Sequence, residues 1–207
     1  MKRLFLASVI ALMSVVNVLA GSPQQVKVDD VECGNKVTMT ATAKAKYHFV
    51  EWLYNGSTFS GNQANPYTTP AIHENREYKV RWKLNPKVVV EVNDPAVGDA
   101  YIGAVGTTEE IVDKLGDNVT VTAEVLDDCY KFVGWKKKGA PDTDPYLATT
   151  LNYTVTNVGN PGSLIPATYP ADQEDVLTLV AVFEIIKYSV TVISDDDDMG
   201  TVSAVEN

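Results

Sequence analysis

Two cysteines, two histidines and a shortage of basic residues limit what this chain of 207 residues can do chemically. Cys33 and Cys129 permit one disulfide and no framework of them, and whether they pair is left open by the sequence. His48 and His73 show no ligand spacing with either cysteine, so no zinc site is expected. His-Glu-x-x-His and Gly-x-Ser-x-Gly are absent, and the glycines around Gly103–Thr108 lack the lysine of a phosphate loop. No carboxylate pair is singled out for glycoside hydrolysis. The run Asp195–Asp198 lacks the spaced, glycine-containing pattern of a calcium loop, and successive side chains cannot all converge on one ion. The expectation is therefore no catalytic residue, no cofactor and no metal.

Positive charge is scarce as well: 17 Lys and Arg face 27 Asp and Glu, a net charge of −10. Such a field repels nucleic acid and anionic lipid and keeps a protein soluble. Long apolar runs are confined to the first twenty residues, where Lys2 and Arg3 precede Leu4–Val16 and then Val18-Leu19-Ala20. A charged start, an apolar stretch too short to span a bilayer and a small residue at its end read as a signal peptide, residues 1–20, cut after Ala20. Ser22 stands where a lipid-carrying cysteine would be needed, so a lipoprotein is not expected. Loss of Lys2 and Arg3 takes the net charge from −10 to −12. The expected location is secreted or cell-surface, with no membrane insertion after cleavage.

What the chain does contain is an internal repeat. Gly34-Asn-Lys-Val-Thr-Met-Thr-Ala41 returns as Gly116-Asp-Asn-Val-Thr-Val-Thr-Ala123, and Tyr47-His-Phe-Val-Glu-Trp52 as Tyr130-Lys-Phe-Val-Gly-Trp135. Val119, Val121, Ala123 and Val125 alternate with polar residues, a period of two that specifies a strand with one buried face. Closing strands follow: Tyr78, Val80 and Trp82 alternate with basic residues, whereas Leu177–Phe183 is apolar at nearly every position and is expected to be buried on both faces. Asn65–Thr68 and Leu151–Thr156 are further extended segments. An opening hairpin, Lys87–Val105, is matched by Lys187–Val205. The units are thus 21–85, with an incomplete opening hairpin, 86–186, with enlarged loops, and 187–207, the first hairpin of a third. Short connections favour a stiff rod. Thr107-Thr108-Glu109-Glu110 resembles a capping box and predicts at most one short helix near 108–115, ending at Gly116.

The Gly-x-x-Val-Thr-x-Thr-Ala block, the Tyr-x-Phe-Val-x-Trp block and the Asn-Pro-Tyr-Thr or Asn-Tyr-Thr-Val segment together resemble the divergent internalin B-repeat family, bacterial repeat modules of secreted and cell-surface proteins. The resemblance implies an all-β fold related to β-grasp architectures, in tandem small domains. It also implies a non-catalytic stalk, adhesion or protein-interaction scaffold, with a cell-surface protein or glycan as partner. The chain departs from the pattern between Trp135 and Val176.

Phe132 and Trp135 would point to opposite faces of a regular strand, and a β-bulge at Gly134 would bring both into one core. The rival arrangement exposes Trp52 and Trp135 as a platform for a sugar, with Tyr169 in the enlarged loops of the second unit as a further contact, and so motivates a carbohydrate-binding module as the alternative function. A small secreted hydrolase is the third. Unit one has few residues between Gly21 and Gly34, and the chain stops at Asn207 before the next Gly-x-x-Val-Thr block. A truncated reading frame is the simplest account; head-to-tail self-association, in which Lys187–Val205 supplies strands to another molecule's first unit, is the alternative.

Overall fold

The structure is a computed structural model that describes residue 28 and residues 30–168, 174–193 and 203–204. In unit one the block after Gly34 forms a short strand, β1 (Thr38–Met39), and the aromatic block forms β2 (Tyr47–Tyr54). β3 (Tyr67–Thr68) pairs antiparallel with β1, and β4 (Tyr78–Leu84) pairs antiparallel with β2. Unit two opens with β5 (Lys87–Val92), β6 (Gly98–Ile102) and β7 (Glu109–Ile111), and then repeats the plan of unit one at greater length. β8 (Val119–Val125) pairs with β10 (Asn152–Val155), and β9 (Tyr130–Lys137) pairs with β11 (Val176–Ile185).

Unit two has two sheets, one in the order β10-β8-β6 and the other in the order β7-β5-β11-β9. The first and last strands of the unit, β5 and β11, lie side by side in parallel, with Leu177 opposite Val88 and Leu179 opposite Val90. A parallel pair needs a long crossover, and here the body of the unit supplies it. Alternate residues from both sheets meet in one core that includes Val88, Val90, Ile102, Val121, Trp135, Leu179 and Phe183. Thr120 and Thr154 face away from that core and bond each other across β8 and β10 at 3.0 Å. The period-two pattern of the sequence therefore became the inside and outside of a sheet.

Both aromatic blocks contain the extra residue that their spacing requires. Phe183 lies opposite Phe132 and Val182 opposite Gly134, so Val133 has no partner. Trp82 lies opposite Phe49 and Arg81 opposite Glu51, so Val50 is the equivalent bulged residue. The bulge turns each tryptophan onto the face of its phenylalanine, with ring centroids 5.8 Å apart for Phe132 and Trp135 and 5.6 Å for Phe49 and Trp52. Gly134 is needed for closeness: a Cβ there would lie 2.6 Å from the Tyr146 ring and 2.7 Å from the Ala148 carbonyl oxygen. Unit one places Glu51 at that position, where its carboxylate accepts hydrogen bonds from Arg81 and Asn62.

Four expectations require correction. Lys87–Val105 is not a hairpin: β5 pairs with β11 and β7 while β6 pairs with β8 in the other sheet. No helix forms near 108–115: residues 109–111 are the edge strand β7, paired antiparallel with β5. The carbonyls of Thr107 and Thr108 accept hydrogen bonds from Ile102 and Val90, so the backbone that a helix would need is already committed to the sheet. β11 is buried on one face only. Leu177, Leu179, Ala181 and Phe183 are enclosed, while Thr178, Val180 and Val182 on the other side are half-buried. Of the hairpin expected at 187–207, residues 187–193 form no strand, and all but residues 203 and 204 of the remainder lies outside the described residues. The proposed signal peptide, 1–20, also lies outside them.

Candidate interaction surface

Trp52 and Trp135, expected as possible ligand contacts, are both core residues. Trp135 is 0% exposed and Trp52 5%. Their indole nitrogens donate to the carbonyls of Leu151, at 3.3 Å, and Ala64, at 3.0 Å. Neither ring offers a face to a ligand, which corrects the platform reading: the bulge turned them inward. Tyr169 lies outside the described residues. The loops that were candidates for recognition are in part structural, since Val158 and Ile165 are buried in the unit-two core and Gly159 N–H bonds the Ile165 carbonyl at 2.9 Å.

A cluster of four half-buried aromatic rings lies on unit one, at positions that the spacing of the tryptophans does not mark. Tyr54 and Tyr78 stand opposite each other on β2 and β4, with ring centroids 5.3 Å apart. Phe59 and Tyr67 close the group at 5.1 Å from each other and 6.0 and 6.1 Å from Tyr78. All four rings are half-buried. Arg76 lies over the Tyr54 ring, 5.8 Å from its centroid, and the Tyr54 hydroxyl donates to Glu74 at 3.3 Å. Burial, and then the neighbouring Tyr78, push the Tyr67 hydroxyl above its ordinary value, with Arg76 acting in the opposite sense. Unit two has Lys137 and Leu179 paired at the positions of Tyr54 and Tyr78, so the cluster belongs to unit one alone. The signal in the sequence was this difference between the repeats. The arrangement provides ring edges, a guanidinium and a carboxylate on one surface, suited to a sugar or a peptide.

A second constellation joins the units. Asn85, buried between β4 and β5, donates from Nδ2 to the carbonyls of Val112 (2.9 Å) and Asp113 (3.0 Å), and its Oδ1 lies 3.0 Å from His48 Nδ1. Lys46 N–H bonds the Asp113 carbonyl at 3.0 Å. Lys83 on β4 reaches across to unit two, where its Nζ lies 2.9 Å from Asp175 Oδ2 and 2.7 Å from the Thr168 carbonyl. Both charged side chains are enclosed, Lys83 at 2% exposure and Asp175 at 6%. Burial alone would raise the Asp175 pKa, but hydrogen bonds from Lys83 and Thr168, with the lysine charge, hold it below its ordinary value.

Cys33 and Cys129 are free and exposed, and the Cys33 sulfur lies 3.2 Å from His73 Nδ1, a neighbour that sequence spacing did not disclose. Among the described residues no three His, Cys, Asp or Glu side chains are grouped to hold a metal ion, and no helix is long and apolar enough to cross a membrane. Comparison with protein families finds that residues 14–86 and 91–172 each match the divergent InlB B-repeat domain. No curated protein and no solved structure matches the chain.

Proposed function

The chain belongs to the divergent InlB B-repeat domain family, and on that premise we propose that it is a non-catalytic, extracellular or cell-surface repeat module, a stiff scaffold that presents interaction surfaces. The observation that carries this reading is the joint. Lys83 and Asp175 are a buried ion pair between units, and Asn85 ties the connection to two carbonyls of unit two. Breaking either requires exposing unpaired polar groups that are now enclosed. Two beads on a free linker would have no such contacts. Export by the N-terminal segment fits the same reading, because a spacer acts outside the cell.

The two native cysteines make the test direct, since one exposed thiol lies in each unit. Spin labels on Cys33 and Cys129 are expected to give one narrow distance distribution by pulsed electron resonance. A broad distribution spanning tens of ångströms would remove the stiff-scaffold reading.

Carbohydrate binding remains the second reading, now favoured by the tyrosine cluster of unit one in place of the buried tryptophans. On a glycan array, any sugar bound by the protein is expected to be lost on Tyr54→Ala and Tyr67→Ala with the circular dichroism spectrum retained. An array with no sugar bound, or binding untouched by both substitutions, would end it.

A further inference from the structure

The two units differ at the outer edge of their closing strand. In unit two, β11 is flanked by β9 on one side and by β5 on the other. In unit one, the equivalent β4 pairs with β2, and among the described residues nothing takes the place of β5. The consequence is visible in the side chains. Phe183 of β11 is 3% exposed, whereas Trp82, which stands opposite Phe49 as Phe183 stands opposite Phe132, is 39% exposed. Tyr78 and Val80 are half-buried where Leu179 and Ala181 are enclosed. The nearby Arg76 Nε is buried without a hydrogen-bond acceptor. An open strand edge with apolar side chains beside it is a template for another strand.

A strand of the right pattern is present elsewhere in the chain. Lys187-Tyr-Ser-Val-Thr-Val192 repeats Lys87-Val-Val-Val-Glu-Val92, the sequence of β5. In β5, Val88 and Val90 are buried against β11. Their counterparts Tyr188 and Val190 are 82% and 81% exposed, and Val192 and Ile193 are exposed with them, in a segment that belongs to no sheet. Apolar residues at every second position, held in water, are costly unless something covers them.

We infer that residues 187–193 of one copy add as a parallel strand to the open edge of β4 in a second copy, so that the chains associate head to tail. The register follows from unit two. Val92 lies opposite Ala181, and Val80 is the unit-one equivalent of Ala181. Val192 of the donor therefore stands beside Val80 of the acceptor, and Val190 beside Tyr78, as Val90 stands beside Leu179. Backbone hydrogen bonds along the new edge supply attachment, and the alternating apolar side chains supply register. A donor at one end and an acceptor at the other make the contact heterologous, which generates open chains of molecules. This partner choice stands apart from the stiff joint, which would be equally present in a monomer.

Disulfide trapping tests it on the chain from Gly21 to Asn207 carrying Cys33→Ser and Cys129→Ser. One preparation carries Val80→Cys and the other Val192→Cys. Mixed under mild oxidation, they are expected to give a covalent heterodimer far in excess of the homodimer formed by either alone. Adding Val190→Asp to the donor should abolish it, and light scattering of the unsubstituted chain should show mass rising with concentration. A mixture with no excess of heterodimer, or a chain that stays monomeric at high concentration, would overturn the inference. So would a double variant, Val80→Cys and Val192→Cys, that closes its disulfide within one molecule, since the segment would then fill its own chain's edge.

Discussion

Trp135→Ala is expected to remove about 3–5 kcal/mol of stability from unit two, the range for truncating a fully buried large aromatic side chain. The ring is enclosed, packs against Phe132 and donates its N–H to the Leu151 carbonyl. Truncation therefore leaves a cavity and removes one of the two hydrogen bonds at the Leu151 carbonyl, which keeps the one from Ala123 N–H at 2.9 Å. The chain has three tryptophans, and the other two, Trp52 and Trp82, lie on β2 and β4 of unit one. In the variant, indole fluorescence thus reports unit one alone, while far-ultraviolet circular dichroism reports both units. Urea unfolding followed by both signals should show an early loss of dichroism ahead of the fluorescence change. A variant within about 0.5 kcal/mol of wild type, the scatter of ordinary surface substitutions, would place Trp135 on the surface and restore it as a ligand contact.

Lys83→Met should be nearly as damaging, about 3–5 kcal/mol, because it leaves the Asp175 carboxylate enclosed without its cation. The loss belongs to the joint, so the unfolding of the two units is expected to separate into two transitions. Adding Asp175→Leu to Lys83→Met should recover most of the loss, since apolar residues of similar volume often replace a buried pair at no net cost. Failure of the double variant to recover would mean that the hydrogen bond from Lys83 to the Thr168 carbonyl, and not the charge pair, holds the joint.

Acid offers a second view of the same contact. The Asp175 pKa is lowered in the folded protein, so at neutral pH the carboxylate is ionised in both states and its full contribution is present. That contribution declines once the pH falls below the unfolded value of about 3.9 and is gone below the folded value. Wild type is therefore expected to lose joint stability only below about pH 4. The double variant, without the carboxylate, should lack this component of the acid response.

The contrast between the repeats explains why some of this was legible and some was not. Alternation in Val119–Val125 identified a strand and its buried face, because a pleated strand sends successive side chains to opposite sides whatever its neighbours are. The aromatic spacing posed a choice for a similar local reason: two rings three residues apart share a face only if one residue is taken up between them, and the register shifts in β9 and β2 show that it is. The capping-box reading of Thr107–Glu110 failed because a local preference of this kind is small beside two backbone hydrogen bonds offered by β5 and β6. Nothing local marks that competition.

From the sequence alone came the all-β class, the repeat and its family resemblance. These depend on periodicity and spacing, which survive in a linear string. Tertiary structure alone decided that both tryptophans are covered, that the tyrosines of unit one cluster on its surface, and that Lys83 finds Asp175 across the joint. It also decided that, among the described residues, no second strand lies beside β4 where β11 has β5. Each of these is a relation between residues far apart in the chain, and burial and pairing at such a distance depend on which elements come together, a choice that no local pattern contains.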